Sequence, residues 1–203
     1  MNAEEAIAKY YSLLAKWNER ISLVSSARDE TEFRAKHVED ALALIPFLSG
    51  ARTLLDIGTG AGIPGIIIKI ARPDIDVTLL DSTRKKVGFC EEAIRQLGLT
   101  GIRAICGRAE DARVQGMLGR FDAIVSRATW QIEEYLNISY SYIAETEGSR
   151  VLAMKGPAWR DELDAAKASM ERLGLKLLAS HEYRLRTGES RAILSIGRKD
   201  AST

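Results

Sequence analysis

Apolar positions in the first 50 residues recur at helical spacing. Ala6, Tyr10, Leu13, Leu14 and Trp17 fall at i, i+4, i+7, i+8 and i+11, one face of a helix. After a polar stretch from Ser25 to Glu32, a second helical pattern runs through Phe33, His37, Ala41, Leu44 and Ile45, ending near Pro46 and Gly50. From residue 52 the period changes. Short apolar runs predict strands at 52–57, 76–81, 102–106, 121–126 and 149–154, with helices at about 64–72, 83–97, 129–144 and 158–173. Two final strands, 175–186 and 190–197, flank Thr187-Gly188-Glu189-Ser190, a hairpin signal. Repeated strand–helix units need crossover connections, and these place helices on both faces of a parallel sheet. The expected fold is therefore α/β, with a mostly parallel seven-stranded sheet to which the terminal hairpin adds an antiparallel strand. Residues 1–50 are read as a helical extension, and 51–203 as the domain that holds the sheet.

Composition narrows the class without naming a function. The chain has 203 residues, 46% hydrophobic and 28% charged, enough for one well-cored domain. Lys69 interrupts the longest apolar run, and no stretch approaches the ~18 residues of a membrane span. Residues 1–20 are punctuated by Glu4, Glu5 and Lys9 and hold no signal-type apolar segment, so a cytoplasmic protein without membrane contact is expected. Cys90 and Cys106 form no CxxC pair and have no His cluster nearby, an arrangement that argues against disulfides and against a metal site. Net charge is +1, so the overall field does not announce a nucleic-acid binder. The positive excess lies in residues 150–200, with 11 basic and 7 acidic side chains.

Candidate chemistry centres on Leu54-Leu55-Asp56-Ile57-Gly58-Thr59-Gly60-Ala61-Gly62-Ile63-Pro64-Gly65. An apolar strand ends in a carboxylate and breaks into a glycine-rich turn that opens an apolar helix. Glycines let the backbone approach a ligand closely, and the helix N-terminus offers unpaired N–H groups. Two cofactors suit the run. Gly60-x-Gly62-x-x-Gly65, with Asp81 about 20 residues further on, satisfies a dinucleotide fingerprint. Read from Asp56, the same run is D-x-G-x-G-x-G, the loop of S-adenosylmethionine-dependent methyltransferases. Electrostatics favour the second reading. A carboxylate beside the turn opposes the pyrophosphate of NAD, whereas it favours a ligand carrying a sulfonium and an ammonium.

The other informative residues fall at carboxyl ends of the predicted strands, where ligands of open α/β sheets bind. Asp81 suits the ribose hydroxyls of an adenosine; Asp81 or Ser82 also suits the cap of the next helix. Ala109 and Glu110 can meet an adenine edge, or serve as ordinary loop residues. The fourth strand leads into Ser126-Arg127, without an Asn-Pro-Pro-aromatic tetrad and without a nucleophilic cysteine. Arg127 offers a planar fork for a carboxylate, a phosphate or a purine O6, or an anchor for the following helix. Lys155, before Gly156-Pro157, suits a phosphate or substrate contact and equally suits solvent.

Taken together these residues resemble the bacterial 16S rRNA guanine-N7 methyltransferase family (glucose-inhibited division protein B), along nearly the whole chain. The resemblance is carried by Trp17-Asn18, Lys36-His37-x-x-Asp40-Ala41-Leu42, the Asp56–Gly65 loop and Leu79-Leu80-Asp81-Ser82 with Lys85 and Lys86. Ala109-Glu110, Phe121-Asp122, Ser126-Arg127-Ala128 and Met154-Lys155-Gly156 complete it. It implies a Rossmann-like class I methyltransferase fold and S-adenosyl-L-methionine as cofactor. It implies cofactor contacts at Gly58, Ile63, Ala109, Glu110 and Arg127, beside those read above at Asp56, Gly60 and Asp81. It further implies a catalytic or RNA-facing surface with Arg127, Lys155, His37 and Asp40. Where the family usually carries Asn-Leu-Thr, this chain has Ser22-Leu23-Val24. The implied partner is 16S ribosomal RNA, within the 30S subunit or an assembly intermediate, met by a monomer. Other acceptors (another RNA, a protein or a small molecule), an NAD-dependent oxidoreductase and a non-catalytic RNA-binding module stay open at this level.

Overall fold

Helix α1 (Ala3–Asn18) begins at a reciprocal cap: Glu5 N–H donates to Asn2 Oδ1, and Asn2 N–H to Glu5 Oε2, both at 2.9 Å. Its buried face is Ala6, Ile7, Tyr10 and Leu14; of the predicted positions Leu13 and Trp17 are only partly buried, and Ile7 joins the face instead. The computed structural model describes residues 1–24, 29–127 and 130–199; Ser25 to Arg28 of the predicted polar stretch, and Ala128 and Thr129, lie outside the described residues. The second helical pattern is resolved into three pieces. Asp29 caps α2 (Glu30–Phe33) by accepting from Thr31 and Glu32 N–H; a π turn (Arg34–Val38) follows, then α3 (Glu39–Leu42). Pro46 sits in a 3-10 turn, Ile45–Leu48, in place of the expected helix end.

The sheet domain alternates as predicted: β1 (Thr53–Ile57), α4 (Gly65–Ala71), β2 (Asp76–Asp81), α5 (Arg84–Leu97) and β3 (Ile102–Cys106). Next come α6 (Ala112–Leu118), β4 (Ala123–Ser126), α7 (Ile132–Ser139) and β5 (Arg150–Lys155). Helices α8 (Trp159–Ala165) and α9 (Lys167–Arg172) precede the hairpin β6 (Leu175–Arg184) and β7 (Ser190–Arg198). Strand order is β3-β2-β1-β4-β5-β7-β6. The first five strands pair in parallel, and β7 runs antiparallel between β5 and β6.

Several boundaries differ from expectation. No helix is predicted between 106 and 121, yet α6 forms there, capped by Asp111 and stopped at Gly119. The helix expected over 129–144 ends at Ser139, because Phe121 N–H donates to Tyr142 O and Ala144 N–H returns to Phe121 O. Phe121 and Asp122 thus leave the fourth strand; Asp122 accepts from the Arg52 and Thr53 N–H groups and tethers the start of β1. The helix expected over 158–173 breaks at Ala166 into α8 and α9.

Packing follows the pattern of apolar residues. One cluster joins α1, Phe33, Ala41 and Leu44 to α4, α5 and one face of the sheet. A second joins the opposite face to α7, Trp159 and Met170. Ile66, Ile67 and Ile68 are all buried, each stabilising by about 1.5–3 kcal/mol in transfer terms. Among the described residues no helix is long and apolar enough to cross a membrane.

Candidate functional site

Strand β1 delivers Asp56 to the sheet's carboxyl edge, where it is fully buried. Its Oδ2 accepts from Thr59 Oγ1 (2.6 Å) and from Gly65 N–H (2.9 Å), so the carboxylate braces both ends of the glycine turn. Its Oδ1 has no hydrogen-bond partner. Burial lifts the pKa of Asp56 to about 6, against the lowering by its two donors. Gly58, Gly60 and Gly62 take φ of 69°, 59° and 84°, the left-handed region that glycine alone adopts freely. Gly65 is needed for a different reason: a Cβ there would sit 2.2 Å from Leu79 Cδ2 and 2.9 Å from Asp56 Oδ2. The Ile63–Pro64 peptide bond is cis.

Neighbouring elements hold the turn from three sides. Gly58 and Thr59 N–H donate to Leu80 O, at 2.8 and 3.1 Å. Asp81 Oδ2 accepts from Gly60 N–H (2.9 Å) and its Oδ1 from Thr83 N–H (2.8 Å). Helix α5 starts behind Thr83 without a side-chain cap, so Ser82 does not play the capping part open to it in the sequence. From α1, the buried Tyr10 hydroxyl donates to Ala61 O; from α5, Cys90 Sγ donates to Gly60 O at 3.5 Å. Burial pushes both the Tyr10 and Cys90 pKa upward, which leaves Cys90 an inert thiol.

Two concavities meet at Gly58. One, about 250 Å³, is walled by Asp81, Ser82, Ala109, Glu110 and Trp130. The other, about 500 Å³, has the turn Gly58–Ala61 with Ile63 on one side, and Asp40, Arg127, Lys155 and Arg191 opposite. Asp40, Gly58, Gly60, Ile63, Arg127 and Lys155 line the larger lobe and Asp81, Ala109 and Glu110 the smaller, while Asp56 and His37 touch the walls through Thr59 and Arg127. Trp17, Lys85, Lys86, Phe121 and Asp122, also singled out in the sequence, line neither lobe. The chemistry of the walls suits S-adenosyl-L-methionine. Asp81 and Glu110 face one cation, Arg108, around the smaller lobe, and Asp56 with its unsatisfied oxygen lies beneath the turn, which leaves negative charge in excess for a ligand with two positive centres.

Arg127, just past β4, faces the N-terminal helices. Its Nε is 2.8 Å from Asp40 Oδ2, its Nη1 is 2.5 Å from His37 Nδ1, and its Nη2 donates to Lys36 O at 3.2 Å. The i, i+3 spacing keeps His37 and Asp40 on one helical face, where one guanidinium reaches both. Burial, then the Arg127 cation, holds the His37 pKa down to about 3, so the imidazole is neutral and accepts at Nδ1. Burial also lowers the Arg127 pKa, opposed by Asp40. Asp40 is itself buried, and its Oδ1 accepts from the Tyr183 hydroxyl on β6. Lys155 is not the solvated lysine the sequence left open: it donates to Trp130 O at 2.7 Å and pairs with Glu162 on α8.

Sequence reasoning missed Tyr183, Glu162, Arg191, Trp130 and Tyr10 as site residues. Tyr183, Trp130 and Tyr10 act across long separations, and Glu162 and Arg191 sit in no motif that marks them. Asn18 was legible only as part of a motif. Its Oδ1 accepts from Leu23 (2.7 Å) and Val24 (3.1 Å) N–H, its Nδ2 donates to Val24 O, and so it folds Leu23 and Val24 over the cleft.

Comparison with known proteins gives the family and the fold. The family model described as rRNA small subunit methyltransferase G (GidB) matches residues 3–190. A ribosomal RNA small subunit methyltransferase G from Geobacter sp. (strain M21) is 36% identical over 96% of this chain and 88% of its own length. That of Syntrophus aciditrophicus (strain SB) is 40% identical over 95% and 80%. In fold, the chain is similar to the O-methyltransferase TomG from Streptomyces achromogenes in complex with SAM, with a TM-score of 0.63 at 18% identity over 96% of this chain and 90% of that one.

Proposed function

The chain belongs to the GidB family of ribosomal RNA small subunit methyltransferases and uses S-adenosyl-L-methionine; from this premise we propose that it methylates N7 of a guanine in 16S ribosomal RNA. One observation carries the choice of atom. Both carboxylates lining the larger lobe are engaged, Asp40 with Arg127 and Tyr183, Glu162 with Lys155, and no cysteine lines it. Guanine N7 is a bare acceptor with a free lone pair, so it needs neither a general base nor a covalent thiol adduct.

S-adenosyl-L-methionine, when bound, supplies a methyl group made electrophilic by its sulfonium. Asp81 would hold the ribose, since each of its oxygens retains a lone-pair site beyond its backbone donor. Ala109 and Glu110 would meet the adenine edge, and Gly58, Gly60 and Ile63 the methionyl part. Asp56 fixes the turn and contributes negative charge beneath it. Arg127 is held back by Asp40, His37 and Lys36 O, which suits a residue that must not occupy N7 or oppose the charge developing on the ring. Lys155 with Glu162 forms a wall with no net charge. Alignment of acceptor and methyl group, worth roughly 7–11 kcal/mol when well executed, is then the main source of rate.

A guanine inside an RNA helix must be exposed to be reached, because the A-form major groove is deep and narrow. The net charge of +1 favours a 30S subunit or assembly intermediate over naked RNA as substrate, approached by a monomer in the cytoplasm. Transfer of radiolabelled methyl to small subunits, followed by nuclease digestion, tests the reading. Label is expected in 7-methylguanine of 16S RNA, and Arg127→Ala should abolish its incorporation. Label in protein, in another base or on a ribose hydroxyl would overturn it.

A further inference from the structure

A separate groove lies where the C-terminal turn of α1 meets the first turns of α5. It encloses about 370 Å³ and is lined by Lys16, Trp17, Arg20, Ile21, Lys85 and Gly88. Its floor is apolar. Trp17 packs edge-on against the buried Phe89, ring centroids 5.7 Å apart, and stays partly exposed toward the groove. Lys16, Arg20 and Lys85 are exposed on its rim, and no carboxylate lines it. Among the described residues none of these three has an ion-pair partner, and neither do the adjoining Arg84 and Lys86.

Two details set this groove apart from an ordinary solvated face. Arg84-Lys85-Lys86 occupy the first turn of α5 with no acid among them, at the end where a helix dipole favours anions. Asp81, whose Oδ1 accepts from Thr83 N–H, is one carboxylate at this end against three cations, so positive charge is in excess there. Gly88 lies inside α5, where glycine is disfavoured relative to alanine, yet a Cβ at this position would meet nothing within 4 Å. Packing within this chain therefore gives no reason for the glycine, whereas a ligand seated on the helix gives one.

We propose that this groove receives a single-stranded stretch of the substrate RNA, with an unstacked base against Trp17 above Gly88 and its flanking phosphates held by Lys16, Arg20 and Lys85. An apolar aromatic floor between cationic walls is the chemistry that binds unpaired nucleotides. An acidic protein segment would satisfy the cations and leave the floor unmatched. The position also fits. Lys85 follows by four residues Asp81, which walls the cofactor lobe, so RNA in the groove runs beside the cleft. This inference rests on the RNA substrate proposed above.

The test uses the full-length protein, titrated at several salt concentrations into a fluorescent single-stranded RNA and into protein-free 16S RNA. Lys16→Ala/Lys85→Ala should bind about tenfold more weakly. Its log affinity against log salt should flatten by about 1.4, because each single-strand phosphate that a lysine neutralises adds ~0.7 to the slope. Gly88→Met, which fills the groove and keeps both charges, should also bind more weakly, with the salt slope little changed. Affinity for S-adenosylhomocysteine should be the same in wild type and both variants. Unchanged RNA affinity in both variants, with wild-type methylation of RNA intact, overturns this proposal alone. Loss of transfer to assembled subunits, with affinity for naked RNA retained, assigns the groove to a ribosomal protein and also overturns it. A wild-type protein that methylates neither RNA nor small subunits removes the proposed function and this inference with it.

Discussion

At residue 37, burial and the Arg127 cation keep the imidazole neutral to about pH 3, while burial lifts Asp56 to about 6. The two act on stability with opposite sign. Between the ordinary histidine value near 6.5 and about 3, the unfolded chain binds a proton at His37 that the folded chain refuses, so stability falls as pH falls. Between about 6 and the ordinary carboxylate value near 4, folded Asp56 takes up a proton first, so its contribution rises as pH falls. In the shared window they offset. His37→Gln, an acceptor that does not titrate, should remove only the first effect. From pH 6.5 to 4, the unfolding free energy of the variant relative to wild type should then rise by up to about 1.4 kcal/mol per pH unit. Denaturant titrations at half-unit intervals would show it, and parallel curves for the two proteins would refute it. Residues such as Asp56, Gly65 and Asp81 were readable in the sequence because their work is local, strand end to turn to helix start. Tyr183 was not, since its partner Asp40 lies 143 residues away and becomes a neighbour only when the sheet closes.

Among the elements, the stretch 22–24 shows how little regular structure a cleft wall needs. Leu23 and Val24 have neither helix nor strand to hold them; one side chain, Asn18, takes both their N–H groups and the Val24 carbonyl. Asn18→Ala should lower stability by about 1–2 kcal/mol, raise the KM for RNA severalfold, and speed hydrogen exchange at the Leu23 and Val24 amides. Unaltered exchange at those two amides would show that the wall is held by something else. Strand positions and the terminal hairpin followed directly from apolar period and turn residues. Helix α6 escaped because it is only seven residues long and its apolar positions, Val114, Met117 and Leu118, span little more than one turn; the Asp111 cap and Gly119 mark its ends. The single helices expected over 129–144 and 158–173 failed for other reasons. In the first, the apolar spacing continues past the point where bonds from Phe121 to Tyr142 and Ala144 draw the backbone away; the second is interrupted locally at Ala166, which ends α8 and caps α9.

For the molecule as a whole, the N-terminal helices and the sheet share one apolar cluster, from Tyr10, Leu14 and Phe33 to Ile67 and Phe89. Removing residues 1–50 would uncover that face and strip the Ala61 carbonyl of its Tyr10 donor. A fragment of residues 51–203 should therefore keep far-UV ellipticity, lose near-UV signal and bind ANS; a sharp, cooperative melt of that fragment would contradict this. The strand order has a consequence of its own. Because β1 lies between β2 and β4, the chain fills one flank of the sheet before turning back to fill the other. The smaller lobe is thus made almost wholly by the earlier stretch, residues 57–110, and the opposite wall of the larger lobe by residues 127–191 together with the N-terminal helices. On the proposed reading, donor recognition and acceptor choice are written in different stretches of polypeptide, so drift in the second would retarget the enzyme while the first is left intact.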